Sequence, residues 1–168
     1  GVIGIISVKK HLHDTDILHE LSALKKVSKL CRCENDKKIK IRGPFLALVS
    51  MDSFEKKEKC TEEWIYEKML SVYDFKEDYF DDLIGYIGAL SKWSIFKKRP
   101  HKDGNAKYIF FEHKDDEQHM GFQFILTGLL SVYYDETRNY ISRPGFTSFP
   151  SNRKYDKCLG EIETKGIR

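Results

Sequence analysis

The sequence contains no apolar run near the roughly 20 residues that span a membrane. It also lacks the glycine-rich loops that cradle phosphates, both Gly-X-X-X-X-Gly-Lys-Ser/Thr and Gly-X-Gly-X-X-Gly, and the Gly-X-Ser-X-Gly nucleophile elbow. No Asn-X-Ser/Thr glycosylation acceptor is present. These absences argue against a membrane partner, against the common nucleotide-binding enzymes and against hydrolases built on a nucleophile elbow.

Charge of one sign is not in large excess either. The net charge is +3 and the isoelectric point is about 8.5, which is short of the strongly basic balance of a dedicated nucleic-acid binder. The charges are nevertheless segregated, since residues 1–50 and 91–168 are net positive and residues 51–90 are net negative. Such segregation suits pairing within the chain, and it also suits a partner that is itself bipolar.

Cysteine is scarce, with four in 168 residues: Cys31, Cys33, Cys60 and Cys158. Two disulfides would be allowed in an oxidising compartment, but a chain of this length does not need them to fold. We therefore expect free thiols and an intracellular setting. A zinc site made by Cys31, Cys33 and histidines is an alternative, although the Cys-X-Cys spacing is unusual for zinc.

Residues 76–100 carry the most regular pattern of the sequence. Their apolar positions are three and four residues apart, acidic residues come first and basic residues come last, in the order that complements a helix dipole. The pattern predicts one long helix that ends before Pro100. Shorter apolar stripes predict helices over residues 14–30 and from about residue 61.

Alternating and β-branched runs predict strands over residues 2–8, 39–50, 107–113, 120–134, 138–142 and 158–164. Helices in the first half and strands in the second half are typical of the α+β class. We expect a single domain with a mostly antiparallel sheet and three helices packed on one face. Its core domain would be residues 1–142, with residues 143–168 as an extended C-terminal segment packed on it.

Asp156 and the string Glu163-Thr164-Lys165 resemble the active-site signature of PD-(D/E)XK nucleases. In that family two carboxylates bind Mg²⁺ and the lysine polarises the attacking water. The resemblance implies a metal-dependent nuclease with Asp156, Glu163 and Lys165 as its catalytic residues. The match is short and lies at the end of the sequence.

His11-Leu12-His13 resembles the histidine pair of rolling-circle replication nucleases, and Tyr73-Asp-Phe-Lys76 resembles their tyrosine motif. On a strand, His11 and His13 would point to one side and could bind a divalent metal. We keep His11 and His13 as an alternative metal site. A solvated pair of polar residues after a strand is the simpler interpretation.

Two surfaces are candidates for binding a partner. The run from residue 92 to residue 102 interleaves bases with aromatic rings, which could contact phosphates and stack on bases. The C-terminal tail combines arginine with aromatic residues, as protein interfaces do. The expected partner-binding residues are Trp93, Lys97, Lys98, Arg99, Arg143, Phe146, Phe149 and Arg153.

The sequence thus favours a non-enzymatic domain that binds a protein partner within an intracellular complex. It gives no reason to expect a cofactor or a small-molecule ligand. The alternative is a metal-dependent nuclease or nucleic-acid-binding domain that uses Asp156, Glu163 and Lys165.

Overall fold

The computed structural model describes residues 2–31, 43–51, 62–98, 104–133 and 156–166. Within these ranges the α-helices are α1 (Asp14–Leu30), α2 (Glu62–Val72) and α3 (Met120–Tyr133). The strands are β1 (Gly4–Lys9), β2 (Phe45–Ser50), β3 (Tyr86–Ala89), β4 (Trp93–Lys97), β5 (Ala106–Glu112) and β6 (Lys157–Ile162). Single turns of 3-10 helix cover Phe80–Asp82 and Asp115–Glu117.

All of these strands belong to one mixed sheet, in which they lie side by side in sequence order from β1 to β6. β1, β2 and β3 run parallel to one another. β3, β4, β5 and β6 are joined by antiparallel pairings. The expected α+β class is confirmed, and the sheet combines a parallel part with a larger antiparallel part.

Helices α1 and α2 follow the first two parallel strands, where a parallel connection requires a crossover over the sheet. The predicted stripe of α1 is buried, and Ile17, Leu21 and Leu24 are at most 4% exposed. These side chains share one core with Leu46 and Leu48 of β2 and with the buried side of α2. Because every residue of β2 is buried, this strand has to be covered on both faces.

Helix α3 supplies the cover on the opposite face of the sheet. Its Phe124 joins Phe45, Tyr86 and Phe111 in a second core, and its ring centroid lies 4.5 Å from that of Phe111. The expectation of three helices on one face therefore holds for α1 and α2 only. The third helix was expected over residues 76–100, and the observed third helix, α3, lies on the other face. The reason is that β2 and β3 carry apolar side chains toward both faces.

The long helix expected over residues 76–100 is wrong. The described part of this range holds one 3-10 turn and the antiparallel hairpin of β3 and β4. Successive residues Tyr86 and Ile87 point into opposite cores, so the true period is that of a strand. A strand buried on both faces reads as a continuous apolar run, which periodicity alone cannot distinguish from a helix.

The strands expected over residues 120–134 are also wrong, because this segment forms α3. Its outward positions mix the apolar Phe122 and Leu126 with the uncharged polar residues Gln123, Thr127 and Ser131, so that the helical period shows only as a narrow polar stripe. The buried positions become visible only with the sheet in place, and they are Met120, Gly121, Phe124, Ile125, Gly128 and Val132.

The expected C-terminal segment contributes one strand to the sheet, since β6 pairs with β5. Residues 143–155, and the strand expected over residues 138–142, lie outside the described residues. Across the described ranges, no helix has the length and apolar character that crossing a membrane requires.

Candidate functional site

Helix α3 has no charged side chain in its 14 residues. Its polar residues, Gln123, Thr127 and Ser131, lie four residues apart and form one narrow stripe. One side of α3 packs on β2, β3 and β4, whereas the outward side chains of Phe122 and Leu126 are 61% and 54% exposed. A shallow, open groove of about 560 Å³ runs along the helix, lined by His119, Phe122, Gln123, Ile125, Leu126 and Leu129. The outer side of α3 thus is uncharged and exposes large apolar side chains beside the polar Gln123 and Thr127.

Two glycines allow α3 to lie close to the sheet. A Cβ atom on Gly128 would lie 2.1 Å from the ring of Phe45, and one on Gly4 would lie 2.1 Å from the side chain of Leu129. Neither position could hold a larger side chain unless its neighbour moved. The position of α3 over the start of β1 therefore depends on Gly4 and Gly128.

The α3 side of β1 is open beyond this contact. Because side chains alternate along a strand, Ile6 and Val8 point to the same face as Gly4. They are 42% and 59% exposed, and among the described elements α3 packs mainly on β2, β3 and β4. We refer to the resulting apolar set as the α3–β1 surface, with members Ile6, Val8, Phe122, Leu126 and Leu129.

On the face of the sheet opposite α3, a polar cluster connects β1 to α1. Lys9 Nζ lies 2.7 Å from Oε1 of Glu20, and the Ser7 hydroxyl donates a hydrogen bond of 2.7 Å to Oε2 of the same carboxylate. Nδ1 of His19 lies 3.6 Å from Glu20 Oε1. Asp16 is one helical turn before Glu20 and shares its side of α1. We call these residues the Lys9–Glu20 cluster.

The charges of this cluster stabilise each other. The hydrogen bond to Glu20 raises the pKa of the Lys9 amine above its ordinary value, and the nearby charge of Asp16 adds to the effect. Burial acts to raise the pKa of the Glu20 carboxyl, but the hydrogen bonds from Lys9 and Ser7 outweigh it and the net pKa is lowered. At neutral pH the cluster therefore contains a carboxylate and an ammonium group.

A second polar group lies inside the protein. The Ser94 hydroxyl lies 2.9 Å from Nε2 of His113 and donates a hydrogen bond of 3.1 Å to the hydroxyl of Tyr86. Burial raises the pKa of Tyr86 to about 12. A serine beside a histidine is the arrangement of an activated nucleophile. Ser94 is completely buried, however, so its role is to satisfy the polar atoms of the core.

Lys97 was predicted to contact a partner, and its ammonium group is engaged within the domain. Nζ donates hydrogen bonds to the backbone carbonyl oxygens of Phe80 and Leu83, at 2.8 and 2.7 Å. Burial lowers the pKa of Lys97 to about 8, against the opposing charges of Asp81 and Asp82. These two hydrogen bonds hold β4 against the 3-10 turn at Phe80–Asp82.

The other predicted partner-binding residues are spread out. The ring of Trp93 is stacked on that of Phe110 with a centroid distance of 6.2 Å. Lys92 and Lys98 flank β4 at its two ends, about 20 Å apart by strand geometry. The remaining predicted residues lie outside the described residues, namely Arg99, Arg143, Phe146, Phe149 and Arg153.

The structure does not bring Asp156, Glu163 and Lys165 together. Asp156 precedes β6 and Glu163 follows it, so their carboxylates are roughly 20 Å apart along the strand. Ligands of one divalent cation have to lie within about 2.6 Å of it. The ammonium group of Lys165 lies over the ring of Tyr79, 5.5 Å from the centroid.

His11 and His13 lie between β1 and α1, with ring centroids 6.3 Å apart. Tyr73, the tyrosine of the second resemblance, is in the core, where its hydroxyl accepts a hydrogen bond from the backbone N–H of Ile84. In the part of the chain that the structure describes, no group of three or more His, Cys, Asp or Glu side chains could hold a metal ion. Cys31 is a free thiol in this part.

Comparison with protein-family models found no match to this sequence. Searches of curated proteins and of solved structures gave no match either. The function has to be inferred from the surfaces of the domain itself.

The sequence predicted neither the α3–β1 surface nor the Lys9–Glu20 cluster. A local signal for the α3–β1 surface was available, since residues 120–133 contain no charge, but the assignment to strands concealed it. Ser7, Lys9 and Glu20 lie on two different elements, and no short motif connects them. Only the parallel β1–α1–β2 unit brings these three residues into contact.

Proposed function

We propose that this domain binds another protein through the α3–β1 surface, as part of an intracellular complex. The observation that carries the proposal is the uncharged outer side of α3, where Phe122 and Leu126 are more than half exposed. Contiguous exposed apolar surface of this kind is typical of protein interaction sites. Ile6 and Val8 of β1, exposed on the same face of the sheet as α3, add apolar surface beyond the helix.

The energetics of burial support a protein as the partner. Complete burial of a Phe or Leu side chain contributes roughly 1.5–3 kcal/mol, so a few such residues account for specific binding. The centre of a protein interface is depleted in charge and enriched in aromatic residues, as the outer side of α3 is. Nucleic acid needs clustered cations instead, and the described bases of the 92–102 run are at opposite ends of β4 or engaged, as Lys97 is.

The proposal is tested by point substitution and co-purification. The tagged domain is mixed with an extract of its source and washed at about 0.15 M and about 1 M NaCl, and the retained proteins are identified by mass spectrometry. A partner held by an apolar interface is retained at both salt concentrations. Phe122→Glu and Leu126→Glu are expected to abolish its retention, because each places a charge in the centre of the interface.

The matched control is Gln118→Glu, which adds the same charge at an exposed position just before α3. This variant should retain the partner, and all three variants should keep the circular dichroism spectrum of the parent. If Phe122→Glu and Leu126→Glu retain the same proteins as the parent, the α3–β1 surface is not the binding site.

A nuclease is the second candidate, and the Lys9–Glu20 cluster is the observation that favours it. Two α1 acids one turn apart, Asp16 and Glu20, lie beside Lys9 at the carboxyl end of β1. A lysine beside two carboxylates is the chemistry that Mg²⁺-dependent phosphodiester cleavage uses. With two protein carboxylates, water and phosphate oxygens would complete the coordination of Mg²⁺.

Cleavage of single- and double-stranded DNA and RNA in the presence of Mg²⁺ or Mn²⁺ tests this candidate. Activity that Glu20→Gln removes and Glu163→Gln leaves intact would support the Lys9–Glu20 cluster. Loss of activity in Glu163→Gln alone would instead assign the catalytic site to Asp156, Glu163 and Lys165. An inactive parent protein under all these conditions would contradict both assignments.

A further inference from the structure

The two edges of the sheet differ in how they are protected. β6 carries the charges of Lys157 and Glu161, and its pairing with β5 contains a bulge near Gly160. Proteins use charges and bulges of this kind to prevent pairing between sheet edges. β1 has neither a proline nor a charge between Gly4 and Val8, and its register with β2 is regular. Of the two described edges, β1 is the one suited to accept a further strand.

The hydrogen bonds of β1 show which backbone groups face β2. The carbonyl of Ile3 accepts a bond of 2.9 Å from the N–H of Phe45, and the carbonyl of Lys9 accepts one of 3.0 Å from the N–H of Met51. Because the bonding direction alternates along a strand, the odd-numbered residues of β1 face β2. The even-numbered residues direct their N–H and C=O groups away from the sheet.

These outward groups belong to Gly4, Ile6 and Val8, the same residues whose side-chain positions face α3. An added strand would therefore form backbone hydrogen bonds at the edge and would place alternate side chains beside Ile6 and Val8. The same side chains would reach the α3–β1 surface, because α3 lies over the start of β1. The edge and the apolar surface of α3 meet at Gly4 and Leu129.

The charge at the end of β1 indicates the complementary end of the partner. Lys9 is paired with Glu20, but the next residue, Lys10, is exposed and has no acidic partner among the residues that the structure describes. An acidic residue on the partner would be stabilised at this end of the strand.

We infer that β1 binds an extended segment of a partner protein by strand addition. The segment is uncharged and β-branched along Gly4 to Val8, and it carries acidic residues opposite Lys10. This inference rests on the proposed function and states how the partner is held. Strand addition of this type obtains affinity from main-chain hydrogen bonds and specificity from alternate side chains.

The test uses two synthetic peptides as probes, Glu-Glu-Val-Thr-Val-Thr-Val and its reverse, Val-Thr-Val-Thr-Val-Glu-Glu. The first peptide places its glutamates near Lys10 when it lies antiparallel to β1, and the second does so when it lies parallel to β1. Binding of either peptide is followed by ¹⁵N NMR on the whole domain. We expect one of them to slow the amide exchange of Ile6 and Val8 by about tenfold or more, while Ile5 and Ser7, already bonded to β2, change little.

Two modified peptides distinguish strand addition from nonspecific apolar binding. N-methylation of alternate amides removes the donors for the β1 edge and should weaken binding about tenfold. Replacement of the two glutamates by lysines should weaken it as well, because Lys10 then opposes like charge. Equal binding of the methylated and parent peptides would overturn the inference.

On the protein side, Ile6→Pro removes one outward N–H and leaves the bonds to β2 in place. Ile6→Lys keeps the N–H but charges the edge, which is the natural protection of an edge strand. Both are expected to lose the peptide, and Ile6→Val is the matched control that keeps it. If Ile6→Pro does not fold, Ile6→Lys carries the test alone.

The results distinguish this inference from the proposed function. Retention of the full-length partner by both Ile6 variants, with its loss in Phe122→Glu, would leave the proposed function standing and overturn strand addition. Protection of the Ile6 and Val8 amides that rises with protein concentration in the absence of peptide would assign the edge to a second copy, and would also overturn the inference.

Discussion

The ammonium group of Lys25 on α1 lies 2.6 Å from the carboxylate of Asp78, which is 1% exposed. Lys29 lies 2.9 Å from the other oxygen of the same carboxylate. The backbone N–H of Asp74 donates to it at 2.8 Å, and Lys25 also donates to the carbonyl of Val72 at the end of α2. One buried carboxylate therefore connects α1, the end of α2 and the segment that precedes β3.

Asp78→Ala is expected to lower the free energy of unfolding by about 3 kcal/mol, because it leaves the partly buried Lys25 and Lys29 without their counter-charge. Urea unfolding followed by circular dichroism measures the change. Asp116→Ala, at an exposed position, is the matched control and should stay within about 0.5 kcal/mol of the parent. A similar loss in both variants would show that the Asp78 network is not stabilising.

The pH dependence of stability should report the same carboxylate. Burial acts to raise the pKa of Asp78, but the hydrogen bonds from Asp74, Lys25 and Lys29 outweigh it and lower the pKa. Because the pKa of Asp78 is lower in the folded state, its carboxylate stabilises the fold at pH values above the unfolded pKa of about 4. This stabilisation is lost as the pH falls through the folded pKa. The stability advantage of the parent over Asp78→Asn should therefore shrink below about pH 4, as measured by urea unfolding. An advantage that is constant over the acid range would contradict the assignment.

Lys97 is expected to make stability rise with pH as well, but in the alkaline range. Its pKa is about 8 in the folded state and about 10.4 when unfolded, so between these values the unfolded chain binds more protons. The free energy of unfolding should then rise with pH from about pH 8 to about pH 9.5, relative to Lys97→Met. Thermal unfolding at closely spaced pH values measures the difference. Parallel profiles for the two proteins would indicate that Lys97 has an ordinary pKa.

The substitution Gly128→Ala tests the close packing of α3 on the sheet. In an isolated helix this change would stabilise by about 1 kcal/mol. Here the new methyl group would meet the ring of Phe45, so we expect destabilisation by about 1–3 kcal/mol. Gln123→Ala, at an exposed position of the same helix, is the matched control and should change stability by less than about 0.5 kcal/mol. Stabilisation by Gly128→Ala would show that α3 has room to move away from the sheet.

Several elements of the fold could be predicted because their local pattern agrees with their environment. The stripe of α1 has polar residues on its outer side, so its period is visible and its predicted range matches the structure. β1 and β5 are short segments rich in apolar residues, and their predicted ranges differ from the observed ones by one or two residues. The strand predicted over residues 39–50 contains β2.

The two large errors share one physical cause. Residues 86–89 are apolar because β3 is covered by helices on both faces, and residues 120–133 are mostly apolar because exposed positions of α3 include Phe122 and Leu126. A segment with no polar side, or with only a narrow one, has a weak period to indicate its conformation. The surrounding elements then decide between helix and strand.

The candidate site was beyond prediction for a related reason. The α3–β1 surface combines residues more than 100 positions apart, and it exists because α3 lies over the start of β1. The Lys9–Glu20 cluster depends on the crossover that places α1 beside β1. The strings that did resemble known motifs, at residues 11–13 and 156–165, are not assembled into a metal site by the described structure.

The sequence by itself determined the α+β composition, the amphipathic helix α1 and the presence of apolar strands, because each follows from contacts between residues close in the chain. The tertiary structure alone decided that β3 and β4 form a hairpin, that α3 is a helix on the far face, and that its outer side remains exposed beside β1. These outcomes depend on the burial of apolar surface between distant segments, and the amount buried is set only when the whole sheet has formed.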